Sequence, residues 1–242
     1  MRGGLLSTFL LALSLAFSAG SAAEEKREIV VAGTENGMPA QEILTEAFRR
    51  AGYSVKIRYM PWARCLSEAK SGAIDGIYGA TLTPSRQAEL LFPAEPLWAE
   101  IQSAFARADD LSDYQPKVAA LADVRVGLMN ASATGSDFDR AVAEKRLHHV
   151  DYAISFDSLV LMLTGQRVEV IIADRRSILG TARQLGVSGK IRELQPSVLE
   201  DPVYIAFTKA RDMSAVSDAV GAALKQMKQD GSYAELFTQH FK

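Results

Sequence analysis

Residues 61–98 read PWARCLSEAKSGAIDGIYGATLTPSRQAELLFPAEPLW, and the punctuation of this stretch decides the fold. A helix running from Pro61 ends at Gly72, the residue type that takes the left-handed C-terminal cap without a Cβ clash. Ile74-Asp75-Gly76-Ile77-Tyr78 is a short apolar run of strand type. Thr81-Leu82-Thr83-Pro84-Ser85-Arg86 then turns and starts a second helix, with Thr83 as its N-cap and Pro84 in the first turn, where a missing N–H costs nothing. A ligand at this strand-to-helix turn would meet a guanidinium, a hydroxyl and open backbone amides.

Working outward, the chain alternates strands and helices. Strands are predicted at 28–34, 53–60, 103–107, 124–129, 168–173 and 204–208, and helices at 39–51, 136–144, 156–164, 177–185 and 214–237. Ile43, Leu44, Ala47 and Phe48 make a helical apolar face. Alternation of this kind predicts α/β units with mostly parallel sheet. Residues 70–78 are echoed by 163–172: helix, glycine, an acid flanked by apolar residues, then strand. The echo points to two similar lobes, although α/β units resemble one another in general.

Composition sets the compartment and excludes several functions. Arg2, the apolar run from Leu5 to Ala19 and the small residues Ser21-Ala22-Ala23 form a secretory signal peptide, residues 1–23. The apolar core is about 15 residues, short of a membrane span, and no cysteine stands near the cleavage point to carry a lipid. A formal charge of −2, without a basic stripe interleaved with aromatics, argues against nucleic acid. The lone Cys65 has no internal disulfide partner and reads as a buried small hydrophobe. His148-His149 lacks metal-ligand spacing and reads as a solvated pair at a helix end. No metal or cofactor is implied, and no Gly-x-Ser-x-Gly or phosphate-binding loop is present.

The order Gly72-Ala73-Ile74-Asp75, Thr83-Pro84-Ser85-Arg86, Phe92-Pro93 and Pro96-Leu97 resembles family 3 of the extracytoplasmic solute-binding proteins, which feed polar amino acids to ABC transporters. The closing Asp230-Gly231-Ser232-Tyr233 is similar to the family's C-terminal motif. The resemblance implies an α/β, two-lobed, type II periplasmic-binding-protein fold with a two-segment hinge. Lobe 1 would span 24–101 and 198–242, and lobe 2 would span 102–197. It implies a monomeric, non-catalytic periplasmic protein that closes on a small polar solute, an amino acid or related carboxylate, and delivers it to a membrane permease. Relatives with this fold also include dehydratases of cyclic carboxylic acids and ligand-presenting sensory modules, which stay as alternatives.

The same resemblance assigns residues. Arg86 would fork onto the ligand α-carboxylate; on spacing alone it reads instead as a surface arginine paired with Glu89. Thr81 and Gly79 fall where the family presents a hydroxyl and a backbone group to the cleft. Trp62 falls where an apolar or aromatic residue packs on the ligand, or it belongs to a core. Glu35 matches an acid for a cationic side chain or amine, or is simply solvated. Asp174 matches the aspartate that takes the ligand ammonium, or is a helix N-cap. Ser132 lies in Asn130–Gly135, aligned with a Gly- and Thr/Ser-rich loop that cradles anions. Ala131 replaces a glycine there, Gly37-Met38-Pro39 lacks the usual aromatic lid, and Arg175-Arg176 is unusual beside Asp174.

Overall fold

The computed structural model describes residues 27–35 and 39–240; the expected signal peptide and Gly37-Met38 lie outside the described residues. Strand β1 (Glu28–Gly33) leads to helix α1 (Ala40–Arg50), whose buried Ala40, Ile43, Leu44, Ala47 and Phe48 form the apolar stripe read from the sequence. Strand β2 (Ser54–Tyr59) pairs in parallel with β1. Helix α2 (Trp62–Ser71) stops at Gly72, which adopts φ 76°. Strand β3 (Gly76–Thr81) begins at Gly76 rather than Ile74. Helix α3 (Pro84–Glu89) is capped as expected, the Thr83 hydroxyl accepting from Arg86 N–H at 3.3 Å.

Strand β4 (Leu90–Leu91) is followed by β5 (Trp98–Arg107), which starts well before Ser103. Strand β6 (Arg125–Met129), helix α4 (Ser136–Ala143), strand β7 (His149–Ala153) and helix α5 (Phe156–Thr164) come next. Strand β8 (Val170–Asp174) runs directly into helix α6 (Arg175–Gln184), and β9 (Ile191–Glu193) precedes the long β10 (Leu199–Thr208). Helices α7 (Ser214–Asp230) and α8 (Ser232–His240) close the chain. Strand β7 corrects the reading of the histidine pair. His149 opens a largely solvent-facing strand, and His148 Nδ1 lies 2.8 Å from the Asp123 carboxylate.

The strands join in the order β2-β1-β3-β10-β5-β8-β6-β7, with β4 beside β10 and β9 beside β5. Read from its middle, the order is the same in both directions: β1 corresponds to β6, β2 to β7, β3 to β8 and β10 to β5. The 70–78 and 163–172 echo is therefore a repeat of topology. Its acids do matching work. Asp75 Oδ2 accepts the Val30 N–H at 2.8 Å, and Glu169 Oε2 accepts the Arg125 N–H at 2.9 Å, each bonding to the first strand of its own half.

The hydrophobic cores divide along the same axis. Two are built from residues 29–98 and 203–227, among them Phe48, Tyr78, Phe207 and Ile77. Two are built from residues 104–194, among them Phe105, Ile171, Leu159 and Phe138. The result is a mixed α/β fold of two lobes, joined where β5 pairs antiparallel with β10 from Trp98↔Val203 to Gln102↔Leu199. Cys65 is fully buried, and burial pushes its thiol pKa up to about 12, so it packs as a small apolar residue.

Candidate functional site

The C-terminal ends of β3 and β8, with the loops after β1 and β6, converge near the junction of the two lobes, where ligands bind in open α/β sheets. A cavity of about 40 Å³ lies there, lined by Trp62, Gly79, Thr81, Arg86, Ser132 and Glu100, with Thr34, Tyr78, Met129 and Phe156 completing its wall. Five of the residues expected at the site thus share one cavity. A larger groove of about 510 Å³ runs beside α8, but its lining is mainly apolar and includes none of the expected site residues.

Arg86 is 7% exposed, not a surface arginine. Glu89, its alternative partner, pairs with Lys70 instead. The guanidinium donates from Nη1 to the Thr81 carbonyl at 3.0 Å and from Nη2 to the Ala131 carbonyl at 3.1 Å. Its centre stands 5.4 Å above the Trp62 ring, within cation–π range. Desolvation lowers its pKa from the usual arginine value, although a guanidinium stays charged in any case. The carboxylates of Asp139 and Glu100 act on this cation from a distance, but its hydrogen bonds go to neutral carbonyls, on which a ligand carboxylate would improve.

Trp62 is buried at the start of α2, and its Nε1–H donates to the same Ala131 carbonyl at 3.0 Å. Ala131 adopts φ 59°, a left-handed conformation in which most side chains are strained. One carbonyl in the 130–135 loop of lobe 2 therefore ties down two cleft residues of lobe 1. Ser132 sits on the cavity rim and is exposed. Gly79 adopts φ 75°, and the position its Cβ would take is 3.7 Å from Glu100 Oε1.

Asp174 is 5% exposed and is a helix N-cap, one of its two readings. Its Oδ2 caps α6, accepting from Ser177 N–H and Ser177 Oγ–H, both at 2.8 Å. Its Oδ1 is buried and makes no hydrogen bond of good geometry among the described residues. Burial raises the Asp174 pKa, opposed by the Ser177 hydrogen bonds, by Arg176 and by the Ile101 backbone N–H. Arg175 pairs with Glu193 at 2.9 Å. Arg176 donates to the Ala99 carbonyl at 3.2 Å and stacks on Phe237 at 5.4 Å.

Glu35 is placed differently. It is exposed and lines an adjoining groove of about 260 Å³ with Tyr59, Met60, Ile154 and Asp157, which shares only Thr34 and Phe156 with the Arg86 cavity. Glu100, to which the sequence assigns no role, lines that cavity. Burial, then the Asp174 charge, raise its carboxyl pKa to about 8. The usable signal was strand alternation: Trp98, Glu100 and Gln102 fall on one face only if β5 is started at Trp98.

Comparison with known proteins follows this geometry. Residues 32–242 match the model of the bacterial extracellular solute-binding proteins, family 3. The chain is 25% identical over 195 residues to the glutamate-binding protein GluB of Corynebacterium efficiens, covering 77% of this chain and 63% of that relative's length. In three dimensions it is similar to an ancestral arginine-binding protein bound to arginine, with TM-score 0.75 and 20% identity over 89% of this chain and 98% of that one. It is also similar to a histidine kinase sensor domain, with TM-score 0.76 and 17% identity over 88% of this chain and 96% of that one.

Proposed function

The chain belongs to family 3 of the bacterial extracellular solute-binding proteins, and from that premise we propose that it captures a free amino acid or a closely related zwitterion between its two lobes and hands it to an ABC-transporter permease. The observation that carries the reading is the pairing of a buried Arg86, whose hydrogen bonds go to carbonyls and whose guanidinium lies over an aromatic ring, with the buried Oδ1 of Asp174, which makes no hydrogen bond of good geometry among the described residues. Arg86 offers a fork for a carboxylate, and Asp174 offers an acceptor for an ammonium. Gly79, Thr81, Trp62 and Ser132 line the space beside them. Glu35 stands at the edge, in reach of a long side chain rather than of the backbone groups.

The cavity volume bears on mechanism. About 40 Å³ admits a few waters but no amino acid. Entry therefore requires the Arg86–Ala131 and Trp62–Ala131 bonds across the cleft to break. The natural place for that motion is the β5–β10 junction, and we place the lobe boundaries at 101/102 and 197/198, supported by the division of the cores on either side. Ligand then favours closure only through contacts that the open form lacks. The chain is a binding protein rather than an enzyme, and its ligand should be recovered unchanged.

A thermal-shift screen of L-amino acids, their deaminated acids and their decarboxylated amines tests the reading. Stabilisation only by compounds bearing both charged groups is expected, since a ligand at 100 times Kd contributes about 2.7 kcal/mol. Equal stabilisation by the amines alone would contradict the Arg86 assignment. The compartment is tested separately. Exported protein should begin at Glu24, the residue after Ala23, as read by N-terminal sequencing; an intact Met1 form as the main cytoplasmic species would contradict a cleaved leader.

A further inference from the structure

We propose that Glu100 and Asp174, on one face of the β5–β8 ladder beside the cavity, act as one acidic pair: with no ligand bound the pair keeps one proton, and an arriving ligand ammonium expels it to solvent. The inference rests on the capture reading and adds to it a second acid and a proton linkage.

The geometry comes from strand register. Gln102 of β5 pairs with Asp174 of β8, so the two project from the same face of the sheet. Glu100, two residues earlier, shares that face. Helix α6 begins at Arg175, so β8 supplies no strand residue opposite Glu100. On the other side Gly79 presents no side chain towards Oε1. Glu100 therefore lines the cavity, with Asp174 two register positions along the same sheet face.

Little in the protein satisfies these acids. The Trp98 Nε1–H stands 3.5 Å from Glu100 Oε1, at the far limit of a hydrogen bond. Asp174 Oδ1 makes no hydrogen bond of good geometry among the described residues, although the Ile101 backbone N–H also acts on this carboxylate. The charged and titratable groups that face the pair are Arg86 on α3, Arg176 on α6, Asp201, opposite Glu100 on β10, and Tyr78 on β3. Arg86 is committed to two carbonyls, and Arg176 to Ala99 and Phe237. Burial and mutual repulsion both raise the pKa of Glu100, so the neutral form is favoured until a cation arrives.

The balance is one ligand ammonium in and one proton out. The protonated pair plus R–NH₃⁺ gives the ammonium held between two carboxylates plus H⁺ in solution. The linkage sign follows. Ligand lowers the pKa of Glu100, so affinity rises with pH below the raised value of the empty site and levels off above it. For one proton the slope approaches about tenfold in affinity per pH unit.

The test is calorimetric titration of the full mature protein with L-arginine, L-glutamine and L-glutamate between about pH 6 and about pH 8, in buffers of different ionisation enthalpy. For the tightest of the three, we expect proton release approaching one per ligand at the acid end, abolished in Glu100→Gln and kept in Glu100→Asp. The counterpart lacking the α-amino group should release none. Carboxyl-carbon NMR of the ligand-free protein reads the pair without any ligand. One glutamate, missing in Glu100→Gln, should titrate well above the usual ~4.3 and fall in Asp174→Asn. Binding without proton release, or an ordinary Glu100 titration, overturns this inference and leaves the capture reading standing. If none of the three probes binds, the capture reading fails with the expulsion step.

Discussion

Arg86→Ala is expected to lower affinity for a carboxylate-bearing ligand by about 30-fold to several thousand-fold, a loss of ~2–5 kcal/mol. The size follows from burial. The guanidinium is 7% exposed, sits on the Trp62 ring and has only carbonyls as recorded hydrogen-bond acceptors. A ligand carboxylate would make charge-assisted, forked bonds there, and truncation leaves that carboxylate desolvated without a counter-charge. Arg86→Lys keeps the charge but loses the fork, so it should recover only part of the affinity. The ligand-free protein should lose stability modestly, about 1 kcal/mol for each carbonyl bond removed. Calorimetric titration of both variants measures this, and unchanged affinity in Arg86→Ala would reduce the residue to a tie between α3 and the 130–135 loop.

The second large effect is on folding. Asp75 is 5% exposed and accepts from Val30 N–H, from Arg27 and twice from Arg211. Asp75→Ala should cost about 2–4 kcal/mol, because it orphans a strand N–H and uncouples two guanidinium groups at once. The upper end is restrained by solvent around Arg27 and Arg211, whose side chains are 54% and 35% exposed. Glu169 makes the matching bond to Arg125 N–H in the other lobe but is only partly buried, with its Arg125 pair at 3.6 Å. Glu169→Ala should cost about 0.5–1.5 kcal/mol. Denaturant unfolding of the two variants compares them, and equal costs would contradict the view that burial separates the two acids.

The Pro61–Trp98 stretch was legible because its signals are local. Gly72 needs a left-handed φ, Thr83 needs only the N–H three residues on, and Pro84 needs only a first turn. The α/β class and the two-lobed fold followed from alternation and from the family motifs. What failed to show was non-local. Strand β7 has the burial of an edge strand, with His149 and Tyr152 exposed, so it carries no apolar run to read. The early part of β5 is punctuated by Glu100 and Gln102, polar residues that break an apolar run; the structure turns the first towards a cavity and buries the second.

The candidate site divides in the same way. Arg86, Thr81, Gly79, Trp62 and Ser132 were named from motif order, and they line one cavity. Asp174 was named from the family's aspartate at the end of a buried strand, and that one of its oxygens caps α6 while the other makes no good hydrogen bond among the described residues shows only in the structure. Glu35 was named from position alone and lies one groove away. Glu100 was passed over because its environment is made by β3, β8 and α3, elements distant from it in sequence or separated from it by a turn.

The central claim is that one zwitterionic solute bridges the lobes through Arg86 and Asp174. A crystal structure of the mature protein with its tightest-binding amino acid tests it most directly. The account predicts the ligand carboxylate within hydrogen-bond distance of the Arg86 Nη atoms, its ammonium on Asp174 Oδ1, and the Ala131 carbonyl displaced from Arg86. A ligand seated instead in the groove of Glu35 and Tyr59, with the Arg86–Ala131 bond intact, would contradict it.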